Sequence, residues 1–319
     1  MQNFHELLRA TLERGVDQFN VRTNSLCRVL VGYQLQYDLA DGFPAITTKK
    51  LAFNNMKGEL LGFFRGYDNA ADFRKLGCTV WDKNANETVA WLANPNRKGT
   101  DDLGRIYGKQ WTDWKDRRVA GTVLERDALL ARGYAQKMHD SDQGLWLVER
   151  GINQLENALH TIITNPSDRR VIVSGWNPTE FDQMALPPCH MDYRFVAFET
   201  TKVLHVVMTI RSWDLFLGAP FNIASTSLFL AIMARLAGYT PGTVTIQATN
   251  AHIYGDHFEQ TREMLEREHF APPQLVLSEN VRPISDPADI AGAFARIEPE
   301  DVWLSNYSSH AAIAATMAA

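Results

Sequence analysis

Apolar positions recur at helical spacing over residues 2 to 14, where Phe4, Leu7, Leu8 and Leu12 form one stripe, and predict an amphipathic helix. Leu26 to Leu39 reads as a strand, closed by the turn signal Asp41-Gly42-Phe43-Pro44. Helical spacing returns over 54 to 65, a stretch with a single acid, Glu59. Residues 82 to 105 are poor in apolar side chains and rich in Asn, Gly and charge; 85 to 105 is linker-like, but nothing there compels a domain break. A charged segment at 112 to 150, with Trp114-Lys115-Asp116-Arg117-Arg118 and a helical-looking Leu124 to Lys137, has the character of an insertion. Further on, 153 to 163 reads as a helix ending at Asn165-Pro166. Val171 to Trp176, Tyr193 to Phe198, Val203 to Ile210 and Val244 to Ala248 read as strands. Ser227 to Ala237 is apolar nearly all round and stops at Gly238, the pattern of a buried central helix. Short strands among unequal helices, without a regular strand–helix alternation, predict an α+β fold over a single unit spanning 1 to 319.

Composition narrows the class. The chain has 319 residues, 45% hydrophobic and 22% charged, which excludes wholesale disorder. Lys plus Arg number 32 against 37 Asp plus Glu, so the formal charge is 32 − 37 = −5, and binding nucleic acid by bulk charge is disfavoured. Three dispersed cysteines (Cys27, Cys78, Cys189) without a CxxC pair argue against a disulfide framework and a zinc ribbon; no metal is expected. Met1 to Leu8 lacks the basic-then-apolar order of a signal peptide, and Leu228 to Ala234 is much shorter than a bilayer span, so a cytoplasmic protein is expected (host cytoplasm if viral).

Candidate chemistry clusters at turns. Arg22, Arg169 with Arg170, and Arg211 with Ser212 place guanidinium groups beside turn-forming residues, where they suit phosphate or carboxylate. Cys189 lies in Leu186-Pro187-Pro188-Cys189-His190; a thiol acts as thiolate, a form that neighbouring cations favour. A Cys/His hydrolase dyad competes here, although adjacent residues of an extended chain point to opposite faces. Asn222 offers a donor and an acceptor side by side, matching a uracil edge, or else caps the apolar helix that follows. His252 and Tyr254, two apart, share a face if extended, and their tips suit a sugar hydroxyl; a satisfied core histidine is the plainer reading.

The ordered motifs Ile106-Tyr-Gly-Lys-Gln-Trp111, Asp168-Arg-Arg-Val-Ile-Val-Ser-Gly-Trp-Asn177, Pro187-Pro-Cys-His190, Arg211-Ser-x-Asp-x-x-Leu-Gly-x-Pro-Phe-Asn222 and His252-x-Tyr254 resemble the thymidylate synthase family. Asp41 to Lys50 and Trp81 to Asn86 are similar to its longer bacterial branch. The resemblance implies a homodimer built on twisted mixed sheets packed back to back and flanked by helices, binding dUMP and the cosubstrate 5,10-methylenetetrahydrofolate. It makes Cys189 the nucleophile at carbon 6 of the pyrimidine. Arg22, Arg211 and Ser212 would hold the phosphate, with Arg169 and Arg170 reaching in from the other subunit. Asn222 would read the base, and His252 and Tyr254 the ribose. Glu59 would be the general acid/base, with Tyr107 and His190 assisting and Arg211 contributing to catalysis. Trp81, Asp214, Gly218 and Phe221 would line the folate site, and the tail, with Met317, would close over both ligands.

Attack at carbon 6 makes carbon 5 nucleophilic, so one carbon can be delivered there, leaving an exocyclic methylene once a proton is lost. Hydride then gives dTMP and dihydrofolate, the synthase outcome; water gives 5-hydroxymethyl-dUMP and tetrahydrofolate, the outcome of related phage hydroxymethylases. Several residues depart from the family pattern: Thr249-Asn250 before the His-x-Tyr, Asp192 and Arg194 after Cys-His, an arginine loop without glycines, and a terminal Ala319. These keep hydroxymethylation open. Asn222 argues against dCMP, because cytosine-specific relatives carry Asp there. A non-catalytic nucleotide- or RNA-binding paralogue is the remote alternative.

Overall fold

The structure, a computed structural model, describes residues 1–316; the expectations placed on Met317 and Ala319 lie outside them. The first helix, α1 (Gln2–Arg14), buries Phe4, Leu7 and Leu8 as its stripe predicts. It turns through Gly15 into β1 (Val16–Asn20) and β2 (Ser25–Asp38). Four helices follow, α2 (Phe53–Phe64), α3 (Ala70–Lys75), α4 (Asp82–Asn86) and α5 (Val89–Leu92); the last two give order to the stretch that reads as linker. Then comes α6 (Tyr107–Thr112).

Residues 114–152 form a small antiparallel sheet of their own. It contains β3 (Trp114–Ala120), α7 (Val123–Leu130), β4 (Ala135–Asp140) and β5 (Leu145–Ile152), with strand order β3-β5-β4. The helix expected over Leu124 to Lys137 therefore ends at Leu130. Gly133, at φ +83°, takes the left-handed turn a side chain resists, and the chain leaves it as β4.

The main sheet is completed by α8 (Gln154–Thr164), β6 (Ile172–Ser174), β7 (His190–Phe198), β8 (Val203–Ile210), β9 (Trp213–Asp214), α9 (Gly218–Ala237) and β10 (Thr240–Tyr254). Its order is β1-β2-β10-β8-β7-β6, with β9 beside β10. β10 runs antiparallel to β2 and parallel to β8, so the sheet is mixed, and helices flank it: the fold is α+β. After α10 (Phe258–Leu265), β11 (Gln274–Leu277) and β12 (Val302–Ser305) pair at the periphery.

The helix expected over Ser227 to Ala237 begins nine residues earlier, at Gly218. Pro220 fits there because the first turn has no internal use for its N–H. Gly238 ends it in the left-handed conformation, as the sequence predicts. α9 packs between β8 and β10 on one side and α2 and α8 on the other, which explains a helix apolar on every face. Its Phe229 meets Trp111, Tyr193 and Phe195 at centroid distances of 5.1–5.5 Å. By length and composition α9 alone among described helices would suit a bilayer, yet 83% of its apolar window is buried inside the protein.

The opposite face of the sheet stays open. Along β7, Tyr193 and Phe195 point into the core while Arg194, Val196 and Phe198 point out; Ile172 on β6 is also exposed.

Candidate active site

Cys189 sits half-buried where the chain enters β7, and its backbone is tied on both sides. Its N–H donates to the Tyr107 hydroxyl at 2.7 Å, and its carbonyl accepts from the Arg211 N–H at 3.0 Å. Arg211 follows β8 directly. Its Nε and Nη2 donate to the carbonyls of Pro188 and Pro187 at 2.9 and 3.0 Å, and its guanidinium lies 5.2 Å from the centre of the Trp176 ring. Those two bonds leave other guanidinium N–H groups available to an anion. Ser212 is beside it, half-buried. The cysteine and this arginine are thus one mechanical unit.

A register shift in β7 between His190 and Asp192 lets His190 and Tyr193 both face inward, so the Tyr193 hydroxyl meets His190 Nδ1 at 3.0 Å. Burial depresses the His190 pKa to about 4, so the ring is neutral near pH 7. Nδ1 is thus engaged by Tyr193, away from the role a Cys/His dyad would give it. Asp192 and Arg194, unusual for the family pattern, pair with each other at 2.7 Å on the outer face of β7.

Asn222 lies inside the first turns of α9 rather than at its cap. Its Oδ1 accepts from the Trp213 indole N–H at 3.2 Å, which fixes the amide plane and leaves the amide N–H groups and a second lone pair on Oδ1. His252 and Tyr254 lie on the same face of β10 with rings 5.1 Å apart, as an extended segment requires, and Asn250 Oδ1 orients His252 through Nδ1 at 2.9 Å. Arg22, exposed in the β1–β2 turn, is close enough to both rings to bias their protonation.

Glu59 comes from the buried side of α2. Burial raises its carboxyl to about 8, and the Trp81 indole only partly offsets this. That indole N–H is buried without a well-formed hydrogen bond, a donor that a water or ligand would complete. Phe63 of α2 stacks on Tyr107 at 5.0 Å, which links the acid to the cysteine loop. The Tyr107 hydroxyl is raised well above its ordinary value, again mainly by burial.

Asp214 accepts the N–H groups of Phe216 and Leu217 and so shapes the turn into α9 that carries Gly218 and Phe221, both half-buried. Lys49 lies within the Asp41 to Lys50 motif, which alone gives it no site role. Its ammonium donates to the Phe216 carbonyl at 2.6 Å and lies 4.0 Å from the ring centre, and burial lowers its pKa to about 8. Tyr193, Asn250, Trp176 and Trp213 are further supports; the last three lie in or beside the quoted motifs, but the motifs alone give them no role. Among the described residues no group of three or more His, Cys, Asp or Glu side chains could hold a metal ion.

Arg169 and Arg170 are not brought to this cluster. In the β6–β7 register, Ile172 pairs with Arg194 and Val171 O accepts from Phe195 N; one more residue sets Arg170 level with Val196. That is 196 − 189 = 7 residues along β7 from Cys189, about 23 Å at the rise of a strand. Arg170 instead pairs with Asp168 at 2.7 Å, and Arg169 is exposed.

The family model for thymidylate synthase matches residues 2–319. Proteins named thymidylate synthase from Pseudomonas putida and Pseudomonas syringae pv. tomato are 41% and 40% identical over 323 aligned positions, covering all of both chains. One from Bordetella parapertussis is 41% identical over 330 positions, again end to end. An ordered arginine–cysteine unit, a buried acid and an aligned Asn/His/Tyr wall, with similarity running the whole length, place the chain in the thymidylate synthase family.

Proposed function

We infer that this member of the family catalyses the synthase reaction, converting dUMP and 5,10-methylenetetrahydrofolate to dTMP and dihydrofolate. The observation that carries this is the tie between Cys189 and Arg211, which sets a nucleophile and an anion-binding group at fixed separation beside a base-reading amide. Cys189 adds to carbon 6 of the pyrimidine. Arg211 and Ser212, with Arg22, hold the phosphate. Asn222 takes the base N–H and gives an N–H to a ring carbonyl, which uracil satisfies and cytosine does not. His252 and Tyr254 hold the ribose hydroxyl. Glu59, neutral below about pH 8, gives a proton towards the base carbonyl through water and takes one from carbon 5 later. Tyr107 holds the cysteine backbone, and neutral His190 stands behind it.

The residues assigned to the folate suit it chemically: the Trp81 indole N–H has no well-formed hydrogen bond, and the Asp214 turn carries half-buried Gly218 and Phe221. When bound, the folate supplies the one-carbon unit and the hydride. The tail, with Met317, would close over it.

The remaining arginines imply two chains. Arg169 and Arg170 are too far from their own Cys189, while the open sheet face beside them, with Ile172, Val196 and Phe198 about half exposed, can bury itself against a second copy. We take residues 1–319 as one catalytic domain carrying 112–150 as an insertion, acting as a homodimer in which these arginines complete the partner's phosphate site.

Hydroxymethylation finds no favouring observation. Asp192 and Arg194 neutralise each other on the outer face, Asn250 serves His252, and the relatives above are named as synthases. The test is incubation with dUMP and methylenetetrahydrofolate, followed by mass spectrometry and dihydrofolate absorbance. A methyl product with dihydrofolate is expected; a product heavier by one oxygen without dihydrofolate refutes the reading.

A further inference from the structure

His257 closes the short turn Gly255–His257 just before α10, and its ring is 1% exposed. The backbone is fixed independently, since Thr261 Oγ1 donates to the His257 carbonyl at 2.8 Å. The imidazole packs between Phe216, at 5.3 Å, and Tyr254, at 5.8 Å between ring centroids. It therefore touches the wall proposed for the sugar on one side and the turn leading to the proposed folate side on the other.

Packing does not explain why the ring is a histidine. Nδ1 is buried without any hydrogen-bond partner among the described residues, and Nε2 has one, the carbonyl of Thr316 at 2.8 Å. The nearest carboxylate, Asp256, stands 3.9 Å from Nε2 and is well exposed. A phenylalanine would fill the same space without an orphaned acceptor, a defect of about 1–3 kcal/mol. The polar atom that the fold retains at this cost points at the C-terminal segment alone.

That segment is strapped at other points too. The Tyr307 hydroxyl bridges Ile46 O and Leu51 N, Arg267 Nη1 joins Thr48 O to Ala311 O, and His310 N donates to Thr47 O. These hold the segment to the 46–51 loop, which carries Lys49. Only His257 among the described residues fastens its last part to the β10 side of the site.

We propose that His257 is a positioning residue for folate use: its Nε2–H fastens residues 307–316 at Thr316 against the wall shared by the two proposed ligand sites, which supports folate binding without bearing on nucleotide affinity. This rests on the folate-dependent reading above. The test compares His257→Phe, which keeps the ring and loses the donor, with His257→Gln, whose amide N–H can replace Nε2–H. In His257→Phe the KM for methylenetetrahydrofolate should rise three- to tenfold, the range a single neutral hydrogen bond carries. The Kd for dUMP alone should stay within twofold, and amide exchange of residues 307–316 should accelerate. His257→Gln should return both quantities to within twofold of wild type. Unchanged folate KM and exchange in His257→Phe overturn the proposal, as does a rise in dUMP Kd matching the rise in folate KM, which would mark a damaged sugar wall. The exchange arm needs no turnover. A wild-type enzyme inactive with folate would thus refute the functional reading separately.

Discussion

Replacing Glu59 with Gln tests the acid and the fold together. The carboxyl is buried on α2 and titrates near 8 rather than at its ordinary 4.5, because burial penalises the charged form. Between those values the unfolded chain has lost a proton that the folded one keeps. Stability therefore falls as pH rises from 4.5 through 8, and the full penalty is present above 8. At about 1.4 kcal/mol per pH unit the displacement is worth roughly 5 kcal/mol, an upper figure. Gln keeps the shape and cannot ionise, so the variant should nearly match wild type at pH 5 and exceed it at pH 9. The gap should open by roughly 4 kcal/mol between the two. Urea unfolding of both proteins at both pH values measures it, and other titrating groups cancel in the difference. The same substitution should lower kcat by a factor of about 10² to 10⁴. In wild type, kcat/KM should decline above pH 8 as the acid ionises. A stability difference that stays flat within about 1 kcal/mol across that range would refute the buried-acid argument, and full activity in Glu59→Gln would refute its role.

Other consequences are sharper in outcome. Cys189→Ser should abolish turnover while dUMP binding remains measurable calorimetrically; retained turnover overturns the nucleophile. Mixing Arg169→Ala with Cys189→Ser and allowing subunits to exchange should restore activity, because one site in the hybrid then holds both an intact cysteine and an intact partner arginine; no recovery removes the cross-subunit clamp. Glu180 is buried against Arg105 Nε and Gln110 Nε2, so Glu180→Ala should destabilise by about 3 kcal/mol in denaturant unfolding. A loss under 1 kcal/mol would mean that Asp113, the other acid on Arg105, suffices alone.

What could be read beforehand was whatever one element decides for itself. The stripe of α1 and the left-handed stop at Gly238 are local, and both were legible. β1 was not, since all five of its residues are exposed at the edge of the seven-stranded sheet and show no buried alternation. Nor was the full reach of β10, whose fifteen residues include Pro241 and Gly242 near the start and run six residues past the Val244 to Ala248 stretch that reads as a strand. The site divides likewise. Cys189, Arg211 and Asn222 announce themselves by residue type beside turns. Their supports do so less: Tyr107 enters only through its motif, and its reach to Cys189 across 82 positions, like that of Lys49 to Phe216 across 167, shows only in the folded chain.

Those supports share one electrostatic consequence. Near pH 7 the groups on the interior side of Cys189 are held neutral by burial: Glu59 protonated below about 8, His190 deprotonated above about 4, and the Tyr107 and Tyr193 hydroxyls raised beyond ionisation. The charge fixed against the cysteine loop is the Arg211 guanidinium, itself locked to the two proline carbonyls. On the proposed function, a nucleotide phosphate arriving at Arg211 would meet cationic charge without a competing carboxylate from the inner wall, and the same guanidinium is tied to the loop that carries Cys189. Burial makes the Glu59 carboxylate left by proton transfer costly, so that acid is driven to recover a proton, as a group that gives one and later takes one must. On this argument, substitutions that put a permanent charge on the inner wall, at Glu59 or His190, will damage the chemistry more than equal changes in volume.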